Sequence, residues 1–110
     1  MTLTDKLMRI RDALVPVTTN VYHYWRTNVA PPYLIWAEDA EESSFAANTY
    51  KVEQQIHGTA DYFTKTEFDP VIDAIQDALE EATHTGWSLS AVQWEEETGL
   101  IHYTWDWWVV

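Results

Sequence analysis

The stretch YKVEQQIHGTADYFTKTEFDPVIDAIQDALEEATHTGW, residues 50–87, changes its hydrophobic period midway, and that change decides the fold class. From Tyr50 to Phe63 polarity alternates. Tyr50, Val52, Ile56, Ala60 and Tyr62 share one face, and Lys51, Glu53, Gln55, His57, Thr59 and Asp61 share the other. A period of two belongs to a half-buried strand, since successive side chains point to opposite sides of a sheet. Gly58 in the middle predicts a bulge or bend. Asp69-Pro70 then marks a helix start, with Asp as cap and Pro at the first helical position. Val71, Ile72, Ile75, Ala78, Leu79 and Ala82 trace an apolar stripe at helical spacing, predicting a helix over about 70–83. Gly86 is placed to end it in a left-handed cap.

Beyond this stretch the C-terminus reads as a hairpin. Trp87 to Glu96 forms one strand, Glu97-Thr98-Gly99 the turn, and Leu100 to Val109 the other strand. In the last strand Ile101, Tyr103, Trp105, Trp107 and Val109 alternate with polar residues, so one face is strongly aromatic. Toward the N-terminus, Leu3, Leu7, Ile10 and Leu14 lie on one helical face, with Thr2 and Asp5 as a capping pair and Pro16 as the stop, giving a helix over about 3–15. Asn20 to Trp25 and Tyr33 to Trp36 read as strands, the second introduced by Pro31-Pro32. Residues 38–44 are acidic and small, as in an exposed loop. The expected fold is α+β: one domain over 1–110, with two helices packed on one face of an antiparallel sheet of about five strands, in the order α-β-β-β-α-β-β.

Bulk properties narrow the function. Hydrophobic residues make up 46% and charged residues 22%, as in a globular chain. The net charge of −12 is uneven: residues 1–65 hold all six bases against eight acids, and residues 66–110 hold ten acids and no base, giving −10. Such a field repels phosphates and argues against gripping nucleic acid. Without cysteine there are no disulfides, thiolate metal sites or cysteine nucleophiles. No stretch approaches a membrane span, and the N-terminal residues lack a secretory apolar core, so a soluble protein is expected.

The sequence presents no catalytic constellation. His23, His57, His84 and His102 are scattered over four elements without ligand spacing, so no metal or cofactor is expected. Glu80-Glu81 and Glu95-Glu96-Glu97 sit at element ends, where carboxylates are ordinarily solvated, and no serine lies in a nucleophile elbow. The chain is expected not to be an enzyme.

Seven tryptophans are more than 110 residues can easily bury. Trp36, Trp87, Trp105 and Trp107 are suited to the core, while Trp107 and its neighbour Trp108 must point to opposite faces. Phe45, Trp94, Trp107 and Trp108 are the candidate interface residues, with a protein–protein contact the favoured use. An aromatic platform for a small ligand, such as a carbohydrate, or for a protein is the alternative, and an acidic inhibitor of a basic partner is a third reading.

Several segments in order resemble the small tail-completion proteins (tail terminators, or head–tail joining proteins) of long-tailed bacteriophages and prophages. They are the N-terminal helix leading to Val21-Tyr-His23, then Pro31-Pro-Tyr-Leu-Ile-Trp36, Asp61-Tyr-Phe-Thr-Lys65, Phe68-Asp-Pro70 with its helix, and the closing hairpin from Glu95 to Trp105. The likeness implies a virion tail protein, made in the bacterial cytoplasm, whose copies close into a homo-oligomeric ring, typically of six. That ring terminates the tail tube and meets neck or connector proteins. It implies no catalytic residues, no membrane and no specific nucleic-acid binding. An acidic lumen that passes DNA without holding it is a further expectation. The tryptophan-rich ending departs from the commoner pattern.

Overall fold

The computed structural model describes residues 1–26, 28–41 and 54–110. Helix α1 runs Leu3–Leu14 and is followed by a short 3-10 turn, Val15–Val17. Strands β1 (Val21–His23), β2 (Tyr33–Glu41) and β3 (Ile56–Thr64) precede helix α2 (Pro70–Glu81). Strands β4 (Thr85–Glu95) and β5 (Leu100–Val109) close the chain. The five strands form one sheet in the order β1-β2-β3-β5-β4.

Both helices begin as their sequences dictate. Thr2 and Asp5 form a reciprocal capping box, each accepting the other's backbone N–H at 3.0 Å. Asp69 caps α2, its carboxylate accepting the Val71 N–H at 2.9 Å, with Pro70 at the first turn. Ile10 and Leu14 of α1 and Ile75 and Leu79 of α2 are driven onto the same side of the sheet by burial of their apolar surface. There they meet Leu34, Trp36, Ile56, Ala60, Tyr62, Trp105, Trp107 and Val109. Register explains the fit. Trp36, Ala60, Trp105 and Leu89 lie opposite one another across four strands, so the small Ala60 sits between two indoles. Gly58 faces Trp107, and a methyl group on Gly58 would run into both that indole and the Ala37 carbonyl.

The sheet departs from expectation at five points. Of the strand expected from Tyr50, residues 50–53 lie outside the described residues, Gln54 and Gln55 are not in a strand, and β3 begins at Ile56. It is antiparallel except that β1 runs parallel to β2, with Val21 opposite Leu34 and His23 opposite Trp36. The acidic stretch after Trp36 stays in β2 as far as Glu41, because β3 continues to pair with it as far back as Ile56. The irregularity predicted at Gly58 falls on the partner strand, between Glu38 and Ala40. Gly86 does not cap α2. His84 takes the left-handed backbone there, with φ 56°, while Gly86 lies in β4 under the Trp108 ring, where any side chain would collide. The hairpin turn carries Gly99 at φ 70°, a conformation that favours glycine.

Candidate interaction surface

The core consumes part of the tryptophan surplus. Trp36, Trp105 and Trp107 are buried, and Trp87 packs half-buried against the core with its Nε1 donating to Glu80 at 2.7 Å. Trp107 is therefore corrected as an interface candidate: the pocket over Gly58 encloses it completely, so it presents no surface. Trp108 points to the opposite face, half-buried, 6.1 Å from the His57 ring. Phe45 lies outside the described residues. Trp94 is 64% exposed.

Trp94 does not stand alone. Leu89, Val92 and Trp94 of β4 are all exposed, and the register sets them opposite Trp105, Tyr103 and Ile101. They thus share the face the helices cover, yet all three side chains remain exposed. The result is an arm with an apolar face, in a molecule 52 Å long and only 25 × 24 Å across. Its turn bears Glu95, Glu96 and Glu97. A shift of pairing between Leu89 and Ala91 keeps Val92 and Trp94 on the same side as Leu89, and an unbroken alternation through Ser90 would not. Sequence inspection picks out Trp94 alone, because the bulge that adds Leu89 and Val92 leaves no local signal.

At the opposite margin β1 is the other edge strand. Trp25 just beyond it is 66% exposed, and Tyr24 is exposed with φ 75°. The His23 ring stacks on Trp36 with centroids 3.9 Å apart, and its Nε2 lies 2.6 Å from Glu38 Oε1. The Tyr24 hydroxyl donates to Glu38 Oε2 at 2.6 Å. Burial works to raise the Glu38 carboxyl, but the bonds from Tyr24 and His23 outweigh it and hold it below the ordinary range. Between this edge and α1 lies a groove of about 410 Å³, lined by Leu7, Met8, Arg11, Val15, Val21 and Trp36 among others. A larger groove, about 610 Å³, separates the two helices and carries Arg9, Asp12, Asp77 and Glu81.

The sheet face away from the helices holds one polar cluster. His102 Nε2 lies 2.7 Å from Asp61 Oδ1, and Thr104 Oγ1 donates to the same oxygen at 2.8 Å. A nucleophilic triad needs the imidazole between hydroxyl and carboxylate, using both ring nitrogens. Here a single nitrogen meets both partners, so the cluster staples β3 to β5 and activates no hydroxyl. Phe63 stacks on His102 at 4.0 Å and on Tyr33 at 4.9 Å, continuing the staple to β2. Among the described residues no group of three or more His, Asp or Glu side chains is arranged to hold a metal ion. Among the same residues no helix is long and apolar enough to cross a membrane. No protein-family model matches the chain, and no curated protein matches it.

Proposed function

We propose that this chain is a structural protein of a bacteriophage or prophage tail, whose copies form a ring that terminates the tail tube and joins it to the head or neck. The observation that carries this reading is the hairpin arm. Leu89, Val92 and Trp94 expose apolar surface on a protruding element, and soluble monomers rarely leave such a cluster uncovered. The ordered resemblance from the N-terminal helix to the closing hairpin supplies the kind of assembly. The open edges of β1 and β4 supply a second reason for copies to meet, since unpaired strand margins invite pairing. The ten acids after residue 65 suit a ring through which DNA passes without being held. The role needs no cofactor and no catalytic group, and it places the protein in the virion tail after synthesis in the host cytoplasm.

The test is mass in solution together with binding to tubes. Light scattering on the purified chain should give a closed oligomer, six copies being the number the resemblance implies. Electron microscopy of tail tubes incubated with the protein should show it at one end of the tube. A chain that stays monomeric at high concentration, and that binds neither tube nor connector, sinks the proposal.

A further inference from the structure

The assembly reading leaves open which surfaces meet. We propose that the hairpin arm of one copy docks along the β1 edge of the next, with Val92 and Trp94 seated in the groove between α1 and β1. This rests on the reading that copies of the chain associate.

Three observations converge on that contact. The first is topological. Among the described residues the sheet ends in β1 on one side and β4 on the other, and each pairs with one strand. Joining β4 of one copy to β1 of the next continues the sheet, and it uses two different surfaces, so the contact can repeat and close by rotation.

The second is the match of faces. Leu89, Val92 and Trp94 project to the helix side of their sheet. A copy added beyond β1 with its helices on the same side places these side chains beside α1. That is where the groove opens, walled by Leu7, Met8, Val15, Val21 and Trp36. Its apolar walls and about 410 Å³ suit an indole and a neighbouring valine, the aromatic-anchor arrangement of protein contacts.

The third is charge. The arm ends in Glu95, Glu96 and Glu97, and no base follows residue 65. Of the bases on α1, Lys6 is buried and donates to the Gln54 carbonyl and Arg9 faces the other groove, while Arg11 lines the groove beside β1. Its present partner is Asp12 at 2.8 Å, an exposed pair of little strength that a stronger carboxylate contact can displace. The competing groove between the helices carries Asp12, Asp77 and Glu81 against Arg9 alone, so its net charge is negative and disfavours the same arm.

The absence of cysteine permits a direct test. Val92→Cys and Val15→Cys are made separately, both positions being exposed and outside the core. The two variants are mixed and oxidised, and their association is followed by light scattering. The expected result is a mixed Val92–Val15 disulfide forming several-fold faster than either homodimer, slowed when Trp94→Ser is added to the arm variant. Arg11→Glu in the groove variant should also slow it. Oligomers that form while the mixed disulfide shows no preference overturn this contact and leave the assembly reading standing. A chain that neither associates nor cross-links overturns the contact, and the tube-binding experiment then judges the assembly reading on its own.

Discussion

Asp69 does more than cap a helix. Its Oδ2 also accepts the Tyr62 and Thr64 hydroxyls, each at 2.7 Å, so one carboxylate ties β3 to the start of α2. Burial works to raise its pKa, but the bonds from Tyr62, the Val71 N–H and Thr64 outweigh burial and hold it below the ordinary 3.8. Burial and the Asp69 charge push the Tyr62 hydroxyl upward in turn. A carboxyl depressed in the folded state contributes stability that is complete above its unfolded value and is lost as pH falls through the folded one. Asp69→Asn should therefore cost roughly 1–3 kcal/mol at neutral pH, where one amide oxygen replaces an ionised pair. Urea unfolding should show the gap between wild type and variant narrowing as pH falls below 3.8 and through the folded value, and a gap independent of pH would show that the charge contributes nothing. The two buried indoles of β5 allow a second comparison. Trp105 Nε1 donates to Gln76 at 3.0 Å, whereas Trp107 Nε1 has no partner among the described residues. Both Trp→Phe changes lose volume, but only Trp105→Phe loses a hydrogen bond, so it should cost about 1 kcal/mol more in unfolding free energy than Trp107→Phe.

At the scale of elements, the arm is expected to be separable from the fold. Val92 and Trp94 are exposed and stand outside the buried cluster, so Trp94→Ser should change monomer stability by no more than about 0.5 kcal/mol. A larger loss in thermal or urea unfolding would place Trp94 in the core economy of the chain and not at an interface. The elements most legible in the sequence are those whose signal is local. The alternation before Phe63 and the Asp-Pro start with its apolar stripe need no knowledge of the rest of the chain: α2 begins at Pro70 as expected, and β3 carries the alternation from Ile56 to Thr64. What depends on a distant partner could not be read. Glu38 to Glu41 look like a loop until β3 supplies a ladder and His23 and Tyr24 hydrogen-bond the Glu38 carboxylate. Gly86 resembles a helix cap until Trp108 is seen lying across it. The parallel pairing of β1 with β2 is a matter of tertiary arrangement, which no periodicity encodes. The interaction surface was legible in the same measure. Trp94 announces itself by polar neighbours, while Trp107 misleads, because its burial depends on the missing side chain of Gly58 on another strand.

At the scale of the whole molecule, charge opposes association and salt should favour it. Each copy carries −12 at neutral pH and measures 25 × 24 Å across its long axis. At 0.01 M ionic strength the screening length of about 30 Å exceeds that width, so approaching copies repel with nearly their full charges. At 0.15 M it falls to about 8 Å, and only groups at the contact still act on one another. The apolar arm contact does not weaken over this range, and the proposed meeting of Arg11 with the arm glutamates is short enough to survive it. Sedimentation across this range should therefore show oligomers tightening as salt rises from low values, the reverse of what a contact held by exposed ion pairs would do. Loading the arm with charge of the other sign, as in Glu96→Lys with Glu97→Lys, lowers the long-range repulsion but removes the local attraction to Arg11. If the interface is where the groove and arm place it, this variant should associate more readily than wild type at 0.01 M and no better, or worse, at 0.15 M. A variant that gains equally at both would mean that the arm tip faces an acidic surface in the assembly, not the helix that carries Arg11.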